Sequence, residues 1–97
     1  MKNLGLLVTV KAKAGKELEV ANFLTSALAL AQQENQTLSW YAFKIDENTF
    51  GVFDTFENEE GRNAHLTGEI AKALMANVET LLSEPPLIEK INVLASK

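Results

Sequence analysis

His65 is the only imidazole in the chain, and a neutral imidazole takes up and returns protons near physiological pH. The plainer use of a histidine near a helix end is a hydrogen bond to nearby backbone or capping groups. Asp54 stands in an alternating stretch with Phe50, Val52 and Phe56. If that face is buried, its carboxylate needs a partner or a raised pKa, and either outcome marks it as a candidate site residue. Trp40, Tyr41, Phe43, Phe50, Phe53 and Phe56 crowd the same region and could wall a planar aromatic ligand, although core or interface packing uses the same residues. Trp40 and Tyr41 stand out because each carries a polar tip able to orient a ligand. Arg62 could hold an anionic oxygen, or pair locally with Glu59 and Glu60, which open its helix. His65 and Glu69 are four apart, but two ligands do not make a metal site, so no metal is expected.

What the chain lacks narrows the chemistry. It has no cysteine, hence no disulfide, thiol nucleophile or thiolate metal site. A glycine-rich loop after a strand, a phosphate-binding loop and a strand-turn serine motif are all missing, so no nucleotide or flavin cofactor is expected. The net charge of -4 and the run of six acids without a base from Asp46 to Glu60 speak against nucleic acid as a partner. The brief apolar run at Leu4 to Leu7 passes into Thr9, Lys11 and Lys13, which suits neither a signal peptide nor a membrane span; a cytoplasmic location is the default expectation.

The elements that must position these residues are legible from periodicity. Residues 1–97 are expected to form a single domain, with 46% hydrophobic and 23% charged residues, enough for one core. Leu4 to Lys13 alternates as a strand; Glu17 and Glu19 open an amphipathic helix that carries Val20, Leu24, Ala27, Leu28 and Ala31 on one face and runs to about Gln33. Thr37 to Asp46 and Thr49 to Glu57 read as a hairpin. Asn58 is placed to cap a helical turn reaching Leu66, and Thr67 to cap a further helix that ends by about Ser83 ahead of Pro85-Pro86. Leu87 to Ala95 is the last strand.

This order predicts an α+β, ferredoxin-like βαββαβ fold, a four-stranded antiparallel sheet with two helices on one face. Its hairpin strands carry apolar residues on both faces: Leu38, Trp40 and Ala42 against Tyr41, Phe43 and Ile45. The face away from the helices would be a large exposed apolar patch in a single copy. A homodimer packed through that face is therefore expected.

The stretch Gly51-Val52-Phe53-Asp54-Thr55-Phe56 followed by Gly61-Arg62-Asn63-Ala64-His65-Leu66, the opening Lys13-Ala14-Gly15-Lys16-Glu17, the aromatic Leu38 to Phe43 and the closing Pro86-Leu87-Ile88 resemble the antibiotic biosynthesis monooxygenase family. The resemblance spans nearly the whole chain. It implies protomers that dimerise into an α/β barrel, and for some members cofactor-independent oxygenation of quinols or anthrone-like aromatics. On that reading His65 matches the family's histidine and handles the phenolic proton, while Trp40, Tyr41, Phe53, Asp54 and Arg62 are the candidate contacts to a small aromatic substrate. The alternative is a non-catalytic dimer that binds a ligand or serves in stress.

Overall fold

The computed structural model describes residues 4–97; Met1, Lys2 and Asn3 lie outside the described residues. Strand β1 (Leu4–Lys11) leads to helix α1 (Glu17–Gln32), and β2 (Thr37–Lys44) returns as β3 (Thr49–Phe56). Three helical segments, α2 (Glu59–Leu66), α3 (Glu69–Ala76) and α4 (Val78–Leu81), precede β4 (Leu87–Asn92). The four strands form one antiparallel sheet in the order β2-β3-β1-β4, the ferredoxin-like arrangement expected from the element order.

Alternation decides which side chains meet the helices. Leu6 and Val10 on β1, and Phe50, Val52 and Phe56 on β3, point to the helical side and are buried, as are Val20, Leu24, Ala27 and Ala31 of α1. Register places Trp40 on this same side, opposite Asp54. Leu7, Phe53 and Tyr41 form one row across the other side.

The helices and the last strand depart from the sequence expectation in three places. Thr67 does not cap α3: its hydroxyl turns back to the Asn63 carbonyl at 3.2 Å, closing α2, and Gly68 opens α3 without a side-chain cap. The second long helix is broken at Asn77, whose side-chain amide donates to the Ala73 carbonyl at 2.7 Å and ends α3. Finally β4 stops at Asn92 rather than Ala95, its pairing with β1 running from Leu87 opposite Thr9 to Asn92 opposite Leu4. Asn58 caps α2 as its position suggests, its side-chain oxygen accepting the Gly61 amide at 2.9 Å.

Glycine at position 61 lets α2 dock closely. A Cβ there would stand 2.7 Å from the Gln36 Cβ and 3.2 Å from its carbonyl. That carbonyl also accepts the Glu57 amide at 2.9 Å, so it has little room to yield. Gly61→Ala is expected to cost about 1–3 kcal/mol through overpacking, read as a lower denaturant midpoint; an unchanged midpoint would mean that α2 is not held at this contact.

Candidate functional site

Asp54 reaches the core side because it alternates with Val52 and Phe56, and its side chain is 0% exposed. Above it α2, seated by the Asn58 cap and the Gly61 contact, carries His65, which is 7% exposed. Phe56 supports the imidazole with its ring centroid 5.3 Å away at 44°. The third member, Glu34, sits in the short connection after α1. Its Oε1 lies 2.7 Å from His65 Nδ1 and accepts the Thr37 hydroxyl at 2.6 Å.

The two ring nitrogens are held differently. Nδ1 is in hydrogen-bond contact with Glu34, whereas Nε2 lies 2.9 Å from Asp54 Oδ2 without the alignment of a hydrogen bond, and among the described residues neither Asp54 oxygen has a hydrogen-bond partner. Both ring nitrogens thus face a carboxylate, Nδ1 that of Glu34 and Nε2 that of Asp54. Burial raises the Asp54 pKa, outweighing the pull of the nearby imidazole. Burial by itself would lower the His65 pKa, but the close carboxylate of Asp54, then that of Glu34, outweighs it and raises it. His65 and Asp54 therefore each hold a proton more tightly than in a free chain.

The imidazole borders an apolar cavity of about 50 Å³ between the sheet and the helices, with walls that include Leu6, Val8, Phe23, Leu66, Ile70 and Ile88. Among the described residues of that lining, His65 is the only one with a titratable side chain. Ile88, on edge strand β4, is 45% exposed, so the lining reaches solvent there. Such a site offers one acid/base group in surroundings that exclude water, the setting in which a charge developing on a ligand is felt most strongly.

The other residues singled out by the sequence are spread over the molecule. Trp40 stands cross-strand from Asp54 and packs under α1, its indole nitrogen buried without a hydrogen-bond partner among the described residues. Tyr41 and Phe53 lie on the opposite face of the sheet from His65, their rings stacked at 6.4 Å, with Tyr41 60% exposed. Arg62 is buried and occupied: its guanidinium makes a forked pair with Glu59 at 2.6 and 3.1 Å and reaches the carbonyls of Gly5 and Ile91 at 3.3 Å each. His65 and Glu69 do not share a helix, because α2 ends between them. Among the described residues, no group of three or more potential ligands is placed to hold a metal ion, and no helix is long and apolar enough to cross a membrane.

Glu34 was not apparent from the sequence. One signal did point to it: a carboxylate just past the end of α1, where the helix dipole is negative and no basic residue stands in the last turn. An acid in that position gains nothing from its own helix, so its partner had to be elsewhere.

No protein-family model matches the chain, and no curated protein matches it. Among solved structures, a protein of unknown function from Nitrosomonas europaea is 56% identical, with a TM-score of 0.97 over 100% of this chain and 94% of that one. A second Nitrosomonas europaea structure, provisionally named an antibiotic biosynthesis monooxygenase, is 13% identical with a TM-score of 0.84, covering 95% of this chain and 99% of that one. Another structure, named an antibiotic biosynthesis monooxygenase, is also 13% identical, with a TM-score of 0.81 and coverage of 95% and 99%. At that identity the last two establish a shared fold.

Proposed function

The chain belongs to the family of the Nitrosomonas europaea protein of unknown function, and from that premise we propose that it is a monooxygenase-like protein acting without a cofactor on a quinol or another small electron-rich aromatic. The observation that carries this reading is a buried imidazole, held at Nδ1 by Glu34 and steadied at Nε2 by Asp54, in the wall of an otherwise apolar cavity. The monooxygenase-named structures of the same fold support it.

On this proposal His65 Nε2 takes the phenolic proton, and the resulting anion gives electrons to dioxygen. A carbon–oxygen bond then forms at the ring carbon beside the phenolate. The proton returns to the distal peroxide oxygen, the O–O bond breaks, and loss of the hydrogen on that carbon releases water and leaves a carbonyl. The aromatic supplies all four electrons, so quinol plus O₂ gives hydroxyquinone plus H₂O. Asp54 steadies the charged ring during the transfer, and Glu34 fixes its orientation. A substrate ring needs more room than about 50 Å³, so binding must part α3 from Ile88.

Oxygen uptake with a panel of quinols and anthrones is the test. We expect turnover in the native protein and a loss of about 100-fold in His65→Ala, the usual scale for one acid/base group. No uptake above background from any of them would overturn the proposal.

The small cavity also favours a second reading, a non-catalytic ligand-binding protein of the same fold. Native mass spectrometry separates the two, because a retained small molecule together with an absence of turnover supports binding alone. We further propose that the working unit is a homodimer joined through the sheet face away from the helices, which brings Tyr41 and Phe53 into the interface rather than the cavity.

A further inference from the structure

His65 stands between two spaces. On one side is the apolar cavity; on the other is a crevice of about 250 Å³ lined by Leu30, Gln33, Glu34, Ala64, Gly68 and Glu69 as well as His65 itself. Nε2 is on the Asp54 side, at the sheet, and Nδ1 is on the Glu34 side, at the crevice. An apolar cavity gives a proton no polar group to leave by other than this ring.

We propose that Glu34 is the proton outlet of the site: a proton taken up at Nε2 is balanced by one leaving Nδ1 to the Glu34 carboxylate, and from there to solvent in the crevice. In the step the Nδ1–H bond breaks, its electron pair stays on the ring, and an O–H bond forms on Glu34; water in the crevice then takes that proton. The Thr37 hydroxyl holds the accepting carboxylate in place. The charged groups facing the imidazole are Asp54 from β3 and Glu34 from the connection after α1, with Glu69 at the start of α3 on the crevice wall. The inference rests on the reading that His65 carries protons, but on no particular substrate.

The chain holds one histidine, so ring nitrogens labelled with ¹⁵N report His65 alone. The measurement is the solvent exchange rate of the Nδ1 proton by NMR, with the ring doubly protonated and no substrate added. Replacing the carboxylate by an amide in Glu34→Gln removes the accepting base and is expected to slow exchange about 100-fold. If Glu34 served only to hold the ring, the loosened imidazole of the variant would exchange as fast as the native protein or faster, and that result overturns the proposal. Glu34→Asp, which keeps a carboxylate, is expected to exchange faster than Glu34→Gln; equal rates in the two also overturn it. Because no aromatic substrate takes part, a negative result here leaves the oxygen-uptake result standing, and a negative uptake result leaves this one.

Discussion

His65→Gln is expected to destabilise the chain by about 3–5 kcal/mol at pH 8, and by progressively less as the pH is lowered toward 5. The cost comes from what the substitution leaves behind. Asp54 is 0% exposed and, among the described residues, the imidazole is the cationic group paired with it, so its anion would be buried without a counter-charge. The carboxyl answers by keeping its proton, and each pH unit above the unfolded value then costs about 1.4 kcal/mol until it ionises or the chain unfolds. Lower pH makes that proton cheaper to hold, so the penalty shrinks. Asp54→Asn added to His65→Gln removes the charge and is expected to recover most of the loss at pH 8.

The native protein has its own pH dependence with a definite sign. Both His65 and Asp54 have pKa values raised by folding, so the folded state binds more protons than the unfolded one between the ordinary and the raised values. The stabilisation from His65 is complete below the ordinary histidine value and fades as the pH rises through the raised one. The cost of Asp54 is absent below the ordinary aspartate value and grows above it. Both contributions make stability fall with rising pH, and denaturant midpoints from pH 5 to 8 measure the slope. If native protein and His65→Gln gave parallel profiles, Asp54 would not be an uncompensated charge in the variant.

The members of this cluster were legible one at a time, and their meeting was not. Asp54 announced itself as a carboxylate among Phe50, Val52 and Phe56, and His65 as the only imidazole. Neither periodicity contains the turn between β3 and α2 that lays one over the other. Glu34 is 31 residues from His65, in a polar connection whose composition suits any surface loop, and only the packing of that connection against α2 brings it in. The fold was more open to reading, because burial is periodic: Leu6 and Val10 mark one face of β1 by a spacing of two, and Val20, Leu24, Ala27 and Ala31 mark one face of α1 by three and four. The break at Asn77 escaped that reading, since Leu74, Val78 and Leu81 keep helical spacing across it. What ends α3 is a side-chain hydrogen bond, which leaves the hydrophobic pattern intact. Alternation also separates Trp40 from Tyr41: neighbours on one strand face opposite sides, so the two cannot wall one pocket within a single copy.

The face on which Tyr41 lies leads to the second large effect. Leu7, Phe53 and Tyr41 form a row across three strands, and Phe43 lies beside them over Gly51, where a Cβ would meet its ring at 2.5 Å. Leu87 extends the patch onto β4 and is exposed, as is Tyr41. Under the proposed two-fold pairing, each substitution counts twice, and lysines introduced on the two copies would bring like charges into the same dry patch. Phe53→Lys is therefore expected to cost about 2 kcal/mol per copy, about 4 kcal/mol in all, and to weaken self-association roughly 1,000-fold. Light scattering at micromolar concentration should then change from twice the chain mass of 10.7 kDa to that mass alone. The fold should survive, because Phe53 points away from the core and from the Asp54–His65 contact, and a lysine there in a separate protomer reaches water. A native particle of 10.7 kDa, or a variant that keeps the doubled mass, would show that this face is not where two copies meet.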